Sequence, residues 1–139
     1  MRILCLDVGE KNIGVAVSDP LGLTAQGLEV IKRQSLSKDL RRIQQLLKDY
    51  DVEEIVLGLP LNMNGTMGEK AREILCFKEK LEEAAGITVT TWDERLTTVA
   101  AQRALLEADV SRKGRKKVID KLAAVFILES YLRYRQRGQ

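Results

Sequence analysis

Four acidic residues stand where the chain is turning apolar and entering a core rather than facing water. Asp7 sits inside CLDVGEKNIGVAVSD (residues 5–19), Asp93 and Glu94 follow the β-branched run ITVTTW, and Asp120 opens DKLAAVFILESYL. A buried carboxylate costs several kcal/mol unless it is paired or bound to a metal, so such a residue needs a partner or a task. Taken singly, two of the four have local explanations. An acid in the first turn of a helix complements the helix dipole, as Asp120 would, and Asp93 can cap the segment that follows it. Taken together, acids converging on one face suggest a hard divalent cation, because carboxylate oxygens suit Mg2+ or Mn2+. The chain contains no histidine, which excludes Ser-His-Asp and Cys-His catalysis, His-ligated zinc and a histidine general base. Acid–base chemistry is left to carboxylates, lysine, tyrosine or metal-bound water. Two ions roughly 3.5–4 Å apart can activate a water and stabilise the leaving oxygen in phosphodiester cleavage, which removes the need for a histidine.

The charge distribution agrees with a phosphate-bearing substrate. The net charge is only +3, yet RKGRKK (residues 112–117) carries five basic residues and RYRQR (133–137) three, with no acid in either. Without those eight, 15 of the 23 basic residues remain against all 20 acids. Positive charge is therefore local, and a nucleic-acid backbone is the natural partner for such clusters beside a cation site. Lys11, Arg95 and the basic loop, with Arg112, Lys113, Arg115, Lys116 and Lys117, are the candidate phosphate contacts. Gly58 and Pro60 in GLP either end a strand or keep side chains out of a substrate's path. Gly9 supplies the turn after Asp7. Thr97 and Thr98 read as a helix cap rather than as catalytic hydroxyls, and Trp92 as a core residue at a strand end rather than a platform for a base.

These residues must be positioned by one domain spanning 1–139, since 139 residues with 45% apolar and 31% charged content make one ordinary core. Residues 2–8 and 13–18 flank the polar turn EKN and form a hairpin. After the turn DPLG, residues 24–31 return as a third strand. Ser35 or Ser37 caps a helix whose face is Leu36, Leu40, Ile43, Leu47 and Tyr50. EEIVLGLP (53–60) is a buried strand that Pro60 ends, and a helix from Glu69 to Ala85 stops at Gly86, with Ile74, Leu75, Phe77, Leu81 and Ala84 as its apolar set. ITVTTW (87–92) is the fifth strand. A helix is predicted over 97–107, and a last one over 117–135, with Val118, Leu122, Val125, Phe126 and Leu132 on one side and Ala124, Ile127 and Tyr131 on another. Three strands followed by alternating helices and strands imply a mixed α/β sheet with helices packed on it. Cys5 and Cys76 belong to no CxxC and read as buried thiols. No apolar run reaches the ~20 residues of a membrane span and the start lacks a signal-peptide pattern, so a cytoplasmic protein without membrane contact is expected.

The motifs LDVGEKNIGVAVSD (6–19), GLPLNMNG (58–65), DERLTT (93–98) and DKLAAVFILESYL (120–132), in this order, resemble the YqgF/RuvX family of bacterial RNase H-like nucleases. Members of that family are described as pre-16S rRNA nucleases or as Holliday junction resolvases. The resemblance implies a five-stranded mixed sheet of order 3-2-1-4-5, its first three strands antiparallel. It also implies Asp7, Glu94 and Asp120 as an acidic triad binding Mg2+ or Mn2+, with Lys11 and Arg95 touching phosphate. Asp7 and Glu94 must then reach past Gly58 on the intervening strand. Asn12 stands where the family often has arginine, and Asn64 where aspartate is common. The activity implied is metal-dependent hydrolysis of structured nucleic acid, with processing of the 5′ end of pre-16S rRNA in ribosome biogenesis ahead of Holliday junction resolution, by a monomer or homodimer. Two readings of another class stand beside it: a nucleic-acid-binding domain that does not cleave, and an ATP-binding domain, because the Asp-x-Gly hairpin also resembles the phosphate loop of actin-like and sugar-kinase folds.

Overall fold

A computed structural model describes residues 2–96 and 115–137. Its elements are β1 (Arg2–Val8), β2 (Asn12–Ser18), β3 (Ala25–Lys32), α1 (Leu36–Asp49), β4 (Val52–Leu59), α2 (Glu69–Ala85), β5 (Thr88–Asp93), a 3-10 turn (Glu94–Leu96) and α3 (Arg115–Arg137). The strands form one sheet in the order β3-β2-β1-β4-β5. The first three are antiparallel, and β4 and β5 run parallel to β1. This is the mixed sheet and strand order expected.

Local chemistry sets the element ends. Ser35 accepts the backbone N–H of Lys38 and starts α1, while Gly86, at φ 68°, takes the left-handed conformation that closes α2. Pro60 follows the last residue of β4, where its missing N–H ends the ladder. The predicted strand and helix bounds agree with the observed ones within two residues. The predicted helix over 97–107 lies outside the described residues.

Strand alternation divides the core in two. Leu4, Leu6 and Val8 of β1, with Val15, Ile55, Leu57 and Val89, pack against Ile43 and Leu46 of α1 and Ile74, Phe77 and Leu81 of α2. Ile3 and Cys5, with Ala16 and Val56, face α3 instead. Asp7 continues that second series, so its side chain belongs to the α3 face. The seam α3 buries is Ile119, Ala123, Ala124, Ile127, Leu128, Tyr131 and Leu132. Of the two expected sides, Ala124, Ile127 and Tyr131 meet the sheet as a set, whereas on the other Leu132 is buried but Leu122, Val125 and Phe126 are only half-buried. A helix apolar around most of its circumference does not announce which side meets the sheet, and the small residues Ala123 and Ala124 decide it by allowing close approach. Cys5 is buried as expected, but Cys76 is exposed on α2 and both thiols are free.

The C-terminal half of α3 is locked in register by polar contacts. Glu54 of β4 accepts from Tyr131 Oη at 2.6 Å, Thr90 Oγ1 at 2.9 Å and Arg135 Nη1 at 3.3 Å. Trp92 Nε1 donates to Ser130 Oγ at 3.2 Å, and its ring meets Tyr131 edge-on. Burial, then the hydrogen bond to Glu54, push the Tyr131 hydroxyl up to about 12. At 1.5 Å per residue these anchors lie about 16 Å along the helix from Asp120, whose place on the sheet they help to fix.

Candidate active site at the carboxyl ends of the parallel strands

Asp7 lies in a row of residues crossing the sheet on its α3 face. It pairs with Gly14 of β2. On its other side Leu6 pairs with Leu57, which brings Gly58 of β4 alongside Asp7 one step further, and Gly58 pairs with Trp92 of β5. The carboxylate is thus flanked by two residues without side chains, and both vacancies are used. A Cβ on Gly14 would fall 2.0 Å from the Asp120 carbonyl oxygen, so α3 rests on bare backbone there at its second turn; because the helix begins at Arg115, Asp120 is not the first-turn acid expected from sequence. A Cβ on Gly58 would fall 2.8 Å from Ile127 Cδ1 and 3.4 Å from Cγ and Cδ of Glu94. Glycine at these positions lets Asp120 and Glu94 approach Asp7 from opposite sides.

The electrostatics agree. The Cys5 thiol, two residues before Asp7 on the same face, is pushed well up, first by burial and then by the negative charges of Asp7 and Glu94. Both carboxylates therefore bear on one buried point, although they come from strands separated by β4. Asp7, Glu94 and Asp120 are all half-buried. The Asp120 carboxylate accepts a hydrogen bond from Asn12 Nδ2 at 3.3 Å. Among the described residues no group of three acidic or thiol side chains stands close enough to hold a metal ion by itself.

The remaining candidates divide. Gly9 closes the β1–β2 hairpin by donating to the Asn12 carbonyl at 2.9 Å, and Lys11 is exposed on that turn. Arg95 is committed within the protein: Nε lies 3.1 Å from each Asp93 oxygen, Nη2 is 2.7 Å from Asp93 Oδ2, and Nη1 donates to the Met63 carbonyl at 3.1 Å. That pairing holds the Asp93 carboxyl below the usual carboxylate range. Asp93 also accepts the Arg95 backbone N–H at 2.9 Å and so caps the 3-10 turn, its local explanation from sequence. Arg95 thereby braces the 62–66 loop, whose own turn is closed by Gly65 N–H to the Asn62 carbonyl at 2.8 Å. Trp92 is half-buried against α3, in keeping with a core role. Arg115, Lys116 and Lys117 fall on the first turn of α3, and Thr97, Arg112 and Lys113 lie outside the described residues. Sequence reasoning missed Gly14, and it noted Asn12 without assigning it a partner.

The sheet order and the placing of acids at the carboxyl ends of β1 and β5 define an RNase H-like fold of the kind found in Holliday junction resolvases. RuvC of T. thermophilus in complex with Holliday junction substrate superimposes with a TM-score of 0.67 at 17% identity, covering 99% of this chain and 96% of that one. The fowlpox virus Holliday junction resolvase does so at 0.55 and 17%, covering 96% and 99%. The sequence narrows the class: the family described as "RuvX: Holliday junction resolvase" matches residues 1–134, and the chain belongs to it. A protein of Desulforamulus reducens named "Putative pre-16S rRNA nuclease" is 58% identical over 132 residues, 95% of this chain and 96% of its own. One of Syntrophomonas wolfei with the same name is 59% identical over 132 residues, 95% and 94%.

Proposed function

We propose that the protein is a divalent-metal-dependent nuclease that hydrolyses phosphodiester bonds in structured nucleic acid, with the 5′ end of precursor 16S rRNA as its substrate in the cytoplasm. The observation that carries this reading is the packing of Glu94 over Gly58 and of the Asp120 backbone over Gly14, the two residues that flank Asp7 in the sheet. The donor set fits Mg2+ or Mn2+: all three are hard oxygen ligands. Mg2+ in particular is commonly held by one or two carboxylates together with substrate phosphates rather than by a closed protein cage. Asp7 and Glu94 would hold the cation, with Asp120 completing the set from the α3 side. The bound ion would supply an activated water and charge stabilisation at the leaving oxygen.

The chain's own residues do the rest. Gly14 and Gly58 leave room beside Asp7 that the Asp120 backbone and the Glu94 side chain fill, which brings the other two carboxylate-bearing residues up to the Asp7 row. Lys11 and the basic residues 112–117 draw the polyanion toward an otherwise acidic surface. Arg95, held by Asp93, sets the 62–66 loop beside Glu94 rather than leaving it to move with the substrate.

The RNA substrate is favoured by relatives at 58% and 59% identity that carry the pre-16S rRNA name. The family description favours a second reading, resolution of Holliday junctions. A resolvase must cut two strands symmetrically, so a protein that stays monomeric on a four-way junction would speak against it. The deciding experiment is cleavage of an end-labelled precursor 16S leader fragment and an end-labelled four-way DNA junction, each with Mn2+ and with EDTA. Metal-dependent cutting of the leader alone supports the proposal, and cutting of the junction alone selects the second reading. Binding without cutting of either, or calorimetric binding of ATP, would replace both with a non-catalytic domain.

A further inference from the structure

Asn12 is fixed before its side chain does anything. Its carbonyl accepts the Gly9 N–H, and it pairs across the sheet with Lys32 of β3, so its backbone is held on both sides. Its side chain points to the α3 face, two residues before Gly14 on the same strand. Gly14 carries the Asp120 backbone, and from there the Asp120 side chain meets the Asn12 amide, Nδ2 to Oδ2 at 3.3 Å, across 108 residues of sequence. An ionised carboxylate can only accept, so the amide must turn its nitrogen toward it. One Asp120 oxygen is thereby held, and a carboxylate has a second oxygen with which to accept.

We infer that Asn12 is a positioning residue for Asp120: it holds one carboxylate oxygen and the orientation of the group, so that the second oxygen faces a divalent cation gathered by Asp7 and Glu94. The inference rests on the metal-dependent reading above. Carboxylates that ligate metals are themselves usually hydrogen-bonded, and losing such an outer partner typically costs 10–100-fold in metal affinity. Asn12 has the right chemistry for this office, because an amide donates without adding a positive charge that would compete with the ion. It also sits on the rigid end of a hairpin rather than on a loop.

The test is Mn2+ affinity, read by the electron paramagnetic resonance signal of free ion, for wild type, Asn12→Ala, Asn12→Leu, Asp120→Asn and the double variant Asn12→Ala with Asp120→Asn. Melting curves establish that each variant is folded. Expected is a loss of roughly 10–100-fold in both Asn12 variants, with the double variant binding no more weakly than Asp120→Asn alone, because Asn12 acts only through Asp120. The inference is overturned if either folded Asn12 variant binds as wild type, or if the losses add in the double variant. If Asp120→Asn weakens binding while Asn12→Ala does not, the inference fails and the nuclease reading stands. Wild type that binds no Mn2+ removes both.

Discussion

Replacing Gly14 with alanine isolates the contact on which the site's geometry depends. The new Cβ would lie 2.0 Å from the Asp120 carbonyl oxygen and 2.6 Å from its carbon. Both atoms are backbone, so no rotamer change relieves the clash. Restoring an ordinary contact of 3.4 Å means displacing the start of α3 from the sheet by about 1.4 Å. Overpacking of this kind costs roughly 1–3 kcal/mol, which for a domain of this size lowers the melting temperature by roughly 3–10 °C. Because the displaced atoms carry Asp120, activity should suffer more than stability: a shift of about 1 Å at a reacting group can cost ~10²-fold in rate. Gly27→Ala is the internal control. Its Cβ would meet Lys121 Cγ at 2.8 Å, but that is a flexible side chain over an exposed position, and it can swing away. The assay is Mn2+-dependent cleavage under single-turnover conditions, at a temperature where both variants are folded by circular dichroism. Gly14→Ala should cut about a hundredfold more slowly and Gly27→Ala at nearly the wild-type rate. A folded Gly14→Ala protein that cuts like wild type would refute the claim that α3 docks on that glycine to place Asp120.

Other expectations follow from individual contacts. Tyr131 is an acid raised from 10.0 to about 12 in the folded chain. Its contribution to stability is therefore complete below pH 10 and is lost as pH rises through about 12; denaturant midpoints measured across that window should fall for wild type, and less steeply for Tyr131→Phe. Arg95→Ala should leave the melting temperature almost unchanged while amide exchange quickens across 62–66, since it removes the donor to the Met63 carbonyl. Unchanged exchange would mean the loop holds itself. A thiol reagent should titrate one cysteine in the native protein, Cys76, and the second, Cys5, only on unfolding; two equivalents in the native state would contradict the core around Cys5.

The parts of the fold governed by local chemistry were readable from sequence. The Ser35 cap, the Pro60 stop and the Gly86 terminator each act within a few residues, and each sits where its chemistry requires. Asp7 betrayed itself as a carboxylate in an apolar strand. Strand order came from resemblance to a family, because periodicity shows which face a residue takes but not which strand is its neighbour. Two features could not be read. Gly14 inside IGVAV looks like one more small strand residue until α3 is laid upon it. Asn12 and Asp120 are joined only by the tertiary fold. Cys76 was misjudged because its helix position alone does not separate the buried seam through Ile74, Phe77 and Leu81 from the open side.

The most direct test of the central claim is cleavage of the preferred substrate in Mn2+ by wild type, Asp7→Asn and Glu94→Gln. Both substitutions keep side-chain size and remove a negative charge from a pair that crowds Cys5. Each variant should therefore melt at or above the wild-type temperature. Each should nonetheless lose at least about 10²-fold in rate, because the stabilisation a bound cation supplies is worth several kcal/mol. Folded variants that cut as fast as wild type, or wild-type cutting that persists in EDTA, would mean that the acids at the ends of β1 and β5 do not carry the chemistry.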